Sequence, residues 1–293
     1  MERVIDLLSA MPYLRAHSGQ TFVVKAGGDL LADPAWRDGI ARDLAVLHRL
    51  GIRVVLVHGG GPQLDASLAQ AGVDTSRVAG RRVTSEAALQ LAIREWRGAC
   101  STAWVTALAA QGEAAVGVSG ADAGLVRAVR RPPAMVVDDE GQRVQVDFGA
   151  VGDVTGVDPA VLSAILGVPA IPVVSPLALG PDQQMLNVNA DTVAAEVAVA
   201  IGAAKLILLT RAPGILQDPE DERSVVHVCG VARLDELEAD GVLTAGMRPK
   251  AAAIRRALGA GVPRVHVVDG RRAGALLEEV FTTEGSGTLV EGP

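Results

Sequence analysis

Residues 54–62, with the sequence VVLVHGGGP, constrain the fold of this chain more than any other stretch. The apolar residues predict a strand that is covered on both faces, and Pro62 predicts the first turn of a following helix. Glycine lets the backbone turn sharply and lets a ligand approach its N–H groups, so the turn is either a plain connection or an anion site. A second unit of this kind, TFVVKAGG at 21–28, places Lys25 at the end of another buried strand. Two glycine turns and a lysine favour a cradle for phosphate.

The composition limits the kind of ligand. The chain has 293 residues, of which 49% are hydrophobic but only 2% aromatic, so the core must be built from Ala, Val, Leu and Ile. Few aromatic residues and a net charge of −7 argue against nucleic-acid binding by base stacking or by a basic field. A small anionic ligand held by local lysines remains possible.

The cysteines and histidines point to a protein of a reducing compartment without its own metal site. Cys100 and Cys229 lie far apart in the sequence, and the five histidines form no ligand-spaced cluster. The N-terminus carries acidic residues where a signal peptide would be basic. The longest apolar stretch, 193–209, contains Glu196 and Lys205, which makes it too polar for a membrane span. We therefore expect a soluble, cytoplasmic protein.

Strands and helices alternate along the chain, which predicts an α/β fold with a parallel sheet and helices on both faces. After a helix within residues 1–18, which either packs on its own domain or docks on another subunit, helices are predicted at 36–50, 62–71, 85–111, 158–166, 191–201, 235–240, 249–260 and 273–281. Further strands are predicted at 114–118, 171–174, 204–209 and 264–268. We also expect an exposed loop at 127–131, a hairpin of 135–137 with 144–147, and a lobe boundary at 175–184.

A compact polar motif, NVNAD at 187–191, precedes a helix rich in Ala and Val. Asp191 alone would suit a helix cap or an acidic residue of the first helical turn, but two Asn and one Asp exceed what one cap requires. Lys250, in GMRPK, lies at the predicted start of another helix. Because the helix dipole disfavours a cation there, we expect Lys250 to have a negatively charged partner. Neither a P-loop nor a GxGxxG motif occurs in the chain.

Seven short motifs follow one another along nearly the whole chain: VVKAGG (23–28), HGGGP (58–62), GRRVT (80–84), GVSGADAG (117–124), NVNAD (187–191), GMRPK (246–250) and DGR…GSGT (269–288). As an ordered set they resemble the amino-acid kinase family and, within it, the acetylglutamate kinases. The segment LLSAMPYLRAHSGQ is similar to the additional helix of the hexameric, arginine-sensitive members. The resemblance implies a three-layer αβα sandwich around a mainly parallel sheet, with residues 1–18 as an oligomerisation helix, 19–179 as the amino-acid substrate lobe and 180–293 as the nucleotide-binding lobe.

The resemblance implies transfer of the γ-phosphoryl group of ATP to the side-chain carboxylate of N-acetyl-L-glutamate, a step of arginine synthesis. A carboxylate is ionised at neutral pH and needs no general base, so the task is to bring two anions together and stabilise the spreading charge. By the same resemblance, Lys25 and Lys250 neutralise phosphate and Asp191 orients the two lysines. Mg²⁺ would arrive on the nucleotide phosphates, with few protein ligands.

The remaining expected site residues are carried over motif by motif. They are Gly27, Gly28 and Gly60 for phosphate; Gly59, Gly60, Arg82 and Asn187 for the acyl amino acid; and Thr210, Arg211, Gly214, Gly246 and Met247 for the nucleotide. Arg82 can hold a carboxylate in bidentate fashion. The expected partners are the small substrate and further copies of the chain, in a dimer or a hexamer of dimers, without nucleic acid or membrane.

Four positions depart from the family pattern. Arg211 follows Thr210 where an Asp is usual, Ser85 replaces an Asp, Ser101 replaces an Asn, and Gly274 replaces the His of arginine-sensitive members. Arg211 leaves the preferred nucleotide undecided. Ser85 and Ser101 leave undecided which acyl group the substrate carries, and Gly274 leaves undecided whether arginine inhibits the protein.

Two alternatives stand beside this interpretation. One is a kinase for a related acylated acid, such as a carrier-linked aminoadipate, for which Arg127, Arg130, Arg131 and Arg143 would supply a basic docking face. These arginines also suit a solvated hairpin. The other alternative is a non-catalytic regulatory module of the same fold, which the four departures favour and the retained lysines oppose. Because the sequence ends at residue 293, we expect no fused synthase domain.

Overall fold

A computed structural model describes residues 7–78, 81–137, 141–243 and 246–292. A π-helical segment, Arg94–Cys100, and a 3₁₀ turn, Asp122–Gly124, lie within these ranges. The α-helices described there are α1 (Leu7–His17), α2 (Gly28–Ala32), α3 (Pro34–Arg49), α4 (Gly61–Ala71), α5 (Glu86–Ile93), α6 (Ser101–Ala110), α7 (Ala160–Leu166), α8 (Ala190–Ala200), α9 (Val231–Ala239), α10 (Arg248–Gly259) and α11 (Ala275–Phe281).

The strands belong to one large sheet and three small ones. They are β1 (Thr21–Ala26), β2 (Arg53–His58), β3 (Arg77–Val78), β4 (Arg81–Arg82), β5 (Ala114–Ser119), β6 (Val126–Arg130), β7 (Ala134–Val137), β8 (Arg143–Val146), β9 (Gly152–Val157), β10 (Ala170–Ser175), β11 (Leu177–Leu179), β12 (Met185–Asn187), β13 (Lys205–Thr210), β14 (Val228–Gly230), β15 (Arg264–Asp269) and β16 (Thr288–Glu291).

The large sheet has eight strands in the order β14-β16-β15-β13-β1-β2-β10-β5. Its neighbours run parallel, apart from the antiparallel pair β15 and β16. One hydrophobic core, with α7, α8, α9 and α10, covers one face, and a second core, with α3, α4, α6 and α11, covers the other. This arrangement confirms the predicted sandwich around a mainly parallel sheet.

Strand β1 shows how the sheet directs side chains to its two faces. Val23 lies in the core with α8 and α10, whereas Phe22 and Val24 lie in the core with α3 and α6. Because side chains alternate along a strand, Lys25 continues the face of Val23 and points toward α8. In β2 the same rule places His58 on the opposite face, with Leu56.

The two halves of the chain share the large sheet, because β1 lies between β2 and β13. The segment 175–184, the expected lobe boundary, contains β11, which pairs antiparallel with β12. It is thus part of a hairpin as well as a Pro/Gly-rich connection. The division into two lobes at this segment stays a prediction.

The expected exposed loop at 127–131 is wrong, because Val126–Arg130 forms β6, between β11 and β9 in a four-stranded sheet. Val126 and Ala128 are buried, whereas Arg127 and Val129 are exposed. This alternation is that of a strand with one solvated face. The run of arginines before two prolines suggests a loop only if that alternation is overlooked.

The predicted hairpin is confirmed, since β7 pairs antiparallel with β8, although residues 138–140 lie outside the described ranges.

The helix predicted at 85–111 is confirmed in extent, but it contains both α-helical and π-helical turns. Here α5, Arg94–Cys100 and α6 follow one another without a break. The π-helical turns hold Trp96 and Cys100 buried against the glycine turn of β2.

The two cysteines are buried and free, one in each core. No helix of the described ranges is long and apolar enough to cross a membrane. The helix expected within residues 1–18 is α1, of which Ala10 is buried in the core that contains α11.

Candidate active site

Two glycine turns lie side by side at the carboxyl edge of the sheet. Strands β1 and β2 are paired in register, with Ala26 opposite His58. Gly27 and Gly28 follow β1 and lead into α2, while Gly59 and Gly60 follow β2 and lead into α4. Because helix N-termini carry partial positive charge and unsatisfied N–H groups, this edge attracts an anion.

The turns touch, and the contact leaves no room for a side chain at Gly28 and little room at Gly59. A Cβ on Gly28 would lie 2.9 Å from Gly60 Cα, and a Cβ on Gly59 would lie 3.1 Å from Gly28 N. The nearest atom to a Cβ on Gly27 is Lys25 Nζ, at 3.9 Å. Among the described residues, the N–H groups of Gly28 and Gly60 have no acceptor. They remain available to a phosphoryl group.

The predicted charged residues meet beside these turns. Asp191 Oδ1 lies 2.9 Å from Lys25 Nζ, and Asp191 Oδ2 lies 3.5 Å from Lys250 Nζ. At least 86% of each of the three side chains is buried, since their exposed fractions are 7%, 7% and 14%. Two ammonium groups face one carboxylate, so the cluster carries one surplus positive charge. Lys250 thus has the acidic partner that its place at the start of α10 predicts.

The charges in the cluster shift each other's protonation. Burial acts to raise the pKa of the Asp191 carboxyl, but the ammonium groups of Lys25 and Lys250 outweigh it and hold that pKa below its ordinary value. Burial, and then the charge of Lys25, lower the pKa of Lys250, although Asp191 raises it in part. Asp191 is therefore ionised at neutral pH and suited to hold the lysines rather than to donate a proton.

Asn189, not Asp191, caps α8. The Asn189 Oδ1 atom accepts hydrogen bonds from the N–H groups of Asp191 (2.8 Å) and Thr192 (3.0 Å). This cap leaves the Asp191 carboxylate free to turn into the cluster. Of the two plain roles expected for Asp191, the helix cap is wrong, whereas the place in the first helical turn is confirmed.

Arg82 lies in β4, beside α4. Its Nη2 atom donates to Asp65 Oδ1 and, at 3.4 Å, to the Gly61 carbonyl oxygen. Its Nη1 atom is buried and has no partner among the described residues. An unpartnered guanidinium nitrogen is suited to donate a hydrogen bond to a carboxylate. Gly80, the first residue of the GRRVT motif, lies outside the described ranges.

Asn187 lies at the end of β12, next to a buried threonine. Its Nδ2 atom donates to Thr84 Oγ1 at 2.9 Å, and Thr84 is fully buried. A cavity of about 300 Å³ adjoins this pair, lined in part by Thr84, Ser85, Gly149 and Met185. The cavity is large enough for a small acyl group.

The residues expected to bind nucleotide divide into two groups, and the first follows β13. Thr210 Oγ1 accepts from Ala212 N at 2.7 Å, and Arg211 Nε lies 3.4 Å from Asp29 Oδ2. Arg211 thus lies next to the Gly28 turn. Gly214 is buried, since a Cβ there would lie 2.7 Å from Thr288 Oγ1 in β16.

The second group lies at the start of α10. Gly246 is exposed, and its carbonyl oxygen accepts from Lys250 Nζ at 3.5 Å. Met247 is at the N-cap position of α10 and packs partly against the core around α8. This group therefore adjoins the lysine cluster.

Three of the four departures have structural roles. Ser85 Oγ accepts from Ala88 N at 3.2 Å and caps α5. Gly274 has φ +80° and donates its N–H to Asp43 Oδ2 at 3.0 Å, a backbone conformation that favours glycine. Ser101 is buried in α6, against Gly117. None of the three touches the lysine cluster.

Several residues that support the site belong to none of the sequence motifs. Gln63 Nε2 donates to the Gly28 carbonyl oxygen at 2.8 Å, and Trp96 Nε1 donates to the Gly60 carbonyl oxygen at 2.9 Å. No local motif marks these long-range contacts. The lysines, in contrast, are marked by their rarity. The chain has only three, and two of them meet at Asp191.

The donor set does not suit a metal ion bound by protein alone. Within the described ranges, no group of three or more His, Cys, Asp or Glu side chains is placed to hold one. Asp191 already faces two ammonium groups. A cation such as Mg²⁺, which keeps several waters, would instead fit on the phosphates of a bound nucleotide.

Comparison with known proteins places these features in a family. The model of the amino acid kinase family matches residues 20–269. The acetylglutamate kinase of Myxococcus xanthus is 45% identical over 97% of this chain and 92% of that protein. The acetylglutamate kinase of Methanothermobacter thermautotrophicus is 38% identical over 99% of both chains.

Solved structures show the same fold. The N-acetylglutamate synthase of Neisseria gonorrhoeae, complexed with coenzyme A and N-acetyl-glutamate, matches with a TM-score of 0.81 and 28% identity. The match covers 97% of this chain but only 62% of that longer one. The carbamate kinase of Giardia lamblia bound to AMP-PNP matches with a TM-score of 0.64 at 17% identity, over 94% of this chain and 100% of that one. At that identity the likeness concerns the fold alone.

Proposed function

Since the chain belongs to the amino acid kinase family, and within it to the acetylglutamate kinases, we propose that it transfers the γ-phosphoryl group of ATP to the side-chain carboxylate of N-acetyl-L-glutamate. The product is the acyl phosphate, the second intermediate of arginine synthesis. The observation that carries this proposal is the buried cluster of Lys25, Asp191 and Lys250 beside two glycine turns. A cluster with surplus positive charge beside free N–H donors suits a phosphoryl group whose negative charge is spread over three oxygens during transfer.

The reaction needs no proton transfer. A carboxylate oxygen attacks the γ-phosphorus, the bond from that phosphorus to the ADP oxygen breaks, and ADP leaves as an anion. Both reactants are anionic, so the barrier arises from their repulsion and from charge spreading over the phosphoryl oxygens. Ionised Asp191 holds the two lysines in place, and the lysines neutralise that charge.

The glycine turns contribute fixed dipoles. The N–H groups of Gly28 and Gly60 would donate to phosphoryl oxygens, and Gly27 keeps the approach above Lys25 open. Because these donors belong to the backbone at two helix starts, they need little reorganisation during the reaction. Mg²⁺ would neutralise charge on the nucleotide phosphates.

The two substrates would approach the phosphoryl site from opposite sides. Arg82, Asn187 and Gly59 would hold the acyl amino acid, with its acyl group toward the cavity beside Thr84. The nucleotide would lie along Thr210, Arg211, Gly214, Gly246 and Met247. By the family plan this is the boundary between an amino-acid lobe and a nucleotide lobe.

Replacing Arg82 with lysine is expected to raise KM for N-acetyl-L-glutamate about tenfold and to change kcat little, because a bidentate carboxylate contact is lost while the phosphoryl site is intact. The matched control is Arg77→Lys, since Arg77 also pairs with Asp65 but is exposed. Steady-state kinetics of both variants test the assignment. Equal KM values for the two variants would remove Arg82 from the substrate site.

The carrier-linked alternative receives less support. Arg130 pairs with Asp147 at 2.7 Å, and Arg131 Nε donates to Asp153 at 2.9 Å. These acids neutralise two of the four arginines that a docking face would use. The non-catalytic alternative conflicts with the complete lysine cluster, which a module that only binds would not require.

A hydroxylamine-trapping assay tests the proposed function against these alternatives. The substrates are N-acetyl-L-glutamate, free glutamate and N-acetyl-aminoadipate, each with ATP and Mg²⁺. We expect acyl hydroxamate from N-acetyl-L-glutamate alone. Hydroxamate from N-acetyl-aminoadipate alone would favour the related kinase, and none from any substrate, despite ATP binding, would favour the carrier-linked kinase or the regulatory module.

We also propose a homo-oligomer, either a dimer or a hexamer built from three dimers, in which α1 joins the dimers. Leu8 and Met11 expose apolar surface on α1, with exposed fractions of 80% and 38%. Deleting residues 1–18 is expected to convert a hexamer to a smaller species, a dimer, without abolishing activity. Sedimentation equilibrium of both chains decides the matter, and identical masses would mean that α1 packs only on its own subunit.

A further inference from the structure

The peptide unit between Gly59 and Gly60 is held by a buried histidine. His58 Nδ1 donates to the Gly59 carbonyl oxygen at 2.9 Å, and the N–H of Gly59 donates to the Ala26 carbonyl oxygen at 2.8 Å. His58 is fully buried, and burial lowers its pKa to about 4, so the ring is neutral at pH 7. Because a carbonyl oxygen only accepts, the ring proton is on Nδ1. His58 Nε2 is buried without a partner among the described residues.

The next peptide unit is held by Trp96. Its Nε1 atom donates to the Gly60 carbonyl oxygen at 2.9 Å, and that oxygen also accepts from Leu64 N at 3.0 Å, in the first turn of α4. The indole ring also occupies the space that a side chain at position 60 would need, since a Cβ there would lie 2.6 Å from Trp96 Nε1. The π-helical segment Arg94–Cys100 carries this indole to the turn.

These contacts determine the direction of one free donor. In a planar trans peptide, the C=O of Gly59 and the N–H of Gly60 point in opposite directions. Fixing the carbonyl group on the buried side therefore directs the N–H away from the core, toward Gly28 and the lysine cluster. We propose that His58 and Trp96 are positioning residues that aim the Gly60 N–H at the transferred phosphoryl group, an inference that rests on the function proposed above.

A tryptophan pair in one helical stretch provides a matched test. Trp96→Phe keeps an aromatic ring and removes the bond to Gly60, whereas Trp104→Phe removes a buried indole N–H that has no partner in the described part of the chain. Complete loss of an oxyanion donor costs about 10²–10³ in kcat, so loosening one donor is expected to lower kcat about tenfold in Trp96→Phe. The KM values for both substrates should stay within about twofold. The Trp104→Phe variant should keep the kcat of the unchanged protein.

Histidine substitutions separate positioning from packing. In His58→Asn the amide nitrogen is close to the position of Nδ1, whereas in His58→Gln it reaches toward Nε2. If His58 orients the Gly59–Gly60 peptide unit, His58→Asn keeps a higher kcat than His58→Gln. If His58 only fills space, His58→Gln keeps the higher kcat, because the volume of Gln is nearer to that of histidine. Thermal unfolding of both variants shows how much stability each loses.

The closing experiment measures kcat and KM for the four variants, together with the affinity for MgADP with and without aluminium fluoride, a phosphoryl mimic. The inference predicts that Trp96→Phe and His58→Gln lose kcat and weaken only the aluminium fluoride complex, by about tenfold. Equal kcat in Trp96→Phe and Trp104→Phe, with Gln more active than Asn at position 58, would overturn it. An unchanged protein that does not turn over N-acetyl-L-glutamate would refute the proposed function alone, since the aluminium fluoride affinities still test the inference.

Discussion

Replacing Lys250 with alanine is expected to lower kcat by about 10²–10³, while KM for N-acetyl-L-glutamate changes by less than about threefold. Lys250 lies 3.5 Å from Asp191 at the start of α10, and its ammonium group supplies the surplus positive charge of the cluster. That charge interacts most strongly with the phosphoryl group as negative charge spreads in the transition state. Because Asp191 keeps Lys25 at 2.9 Å, the remaining pair is balanced and the variant should fold.

The matched control for this variant is Lys205→Met. Lys205 is the third lysine of the chain and is also buried, but its Nζ atom lies 3.0 Å from His266 Nε2, away from the glycine turns. The kcat of the Lys205→Met variant should match that of the unchanged protein. An unaltered kcat in Lys250→Ala would refute the assignment of Lys250 to the transfer step.

Replacing Asp191 with asparagine is expected to lower kcat about 10²-fold and to move the alkaline limb of the pH–rate profile to lower pH. The carboxylate raises the pKa of Lys250 against the lowering by burial and by Lys25. Without the carboxylate, the pKa of Lys250 falls further, so the lysine loses its proton at a lower pH. Because transfer needs charged lysines, activity is then lost as the pH rises through that lower value.

Asp43→Asn is the control for the Asp191 variant. Asp43 is also a buried aspartate, but it contacts the backbone of Gly274, and burial raises its pKa to about 6. Its replacement should leave both kcat and the pH–rate profile unchanged. A profile of Asp191→Asn that keeps its alkaline limb in place would contradict a role for Asp191 in holding the lysines charged.

The parts of the fold that follow from local sequence could be predicted. The strands before Gly27 and Gly59 contain the buried apolar runs FVV and VVLV, and the helices after both turns begin at glycine. Side-chain alternation in β1 then places Lys25 on the α8 face, toward Asp191. The meeting of the two lysines therefore follows from strand order and helix starts, once the sheet is parallel.

Other features depend on contacts between distant residues. The bond from Trp96 to the Gly60 carbonyl oxygen spans 36 positions and arises from a π-helical segment that no propensity indicates. Strand β6 is difficult to predict from the sequence, because its arginines suggest an exposed loop and only Val126 and Ala128 form its buried side. The orientation of Asp191 depends on Asn189 taking the cap of α8, which the motif alone leaves undecided.

Phosphorus NMR of the complete reaction shows whether the protein transfers a phosphoryl group to a carboxylate. It also shows whether that transfer depends on the cluster of Lys25, Asp191 and Lys250. The protein is mixed with ATP, Mg²⁺ and N-acetyl-L-glutamate, and the acyl phosphate and ADP signals are followed together. We expect equal amounts of acyl phosphate and ADP from the unchanged protein and neither from Lys250→Ala over the same time. ADP with inorganic phosphate and no acyl phosphate, or equal acyl phosphate from both proteins, would contradict this expectation.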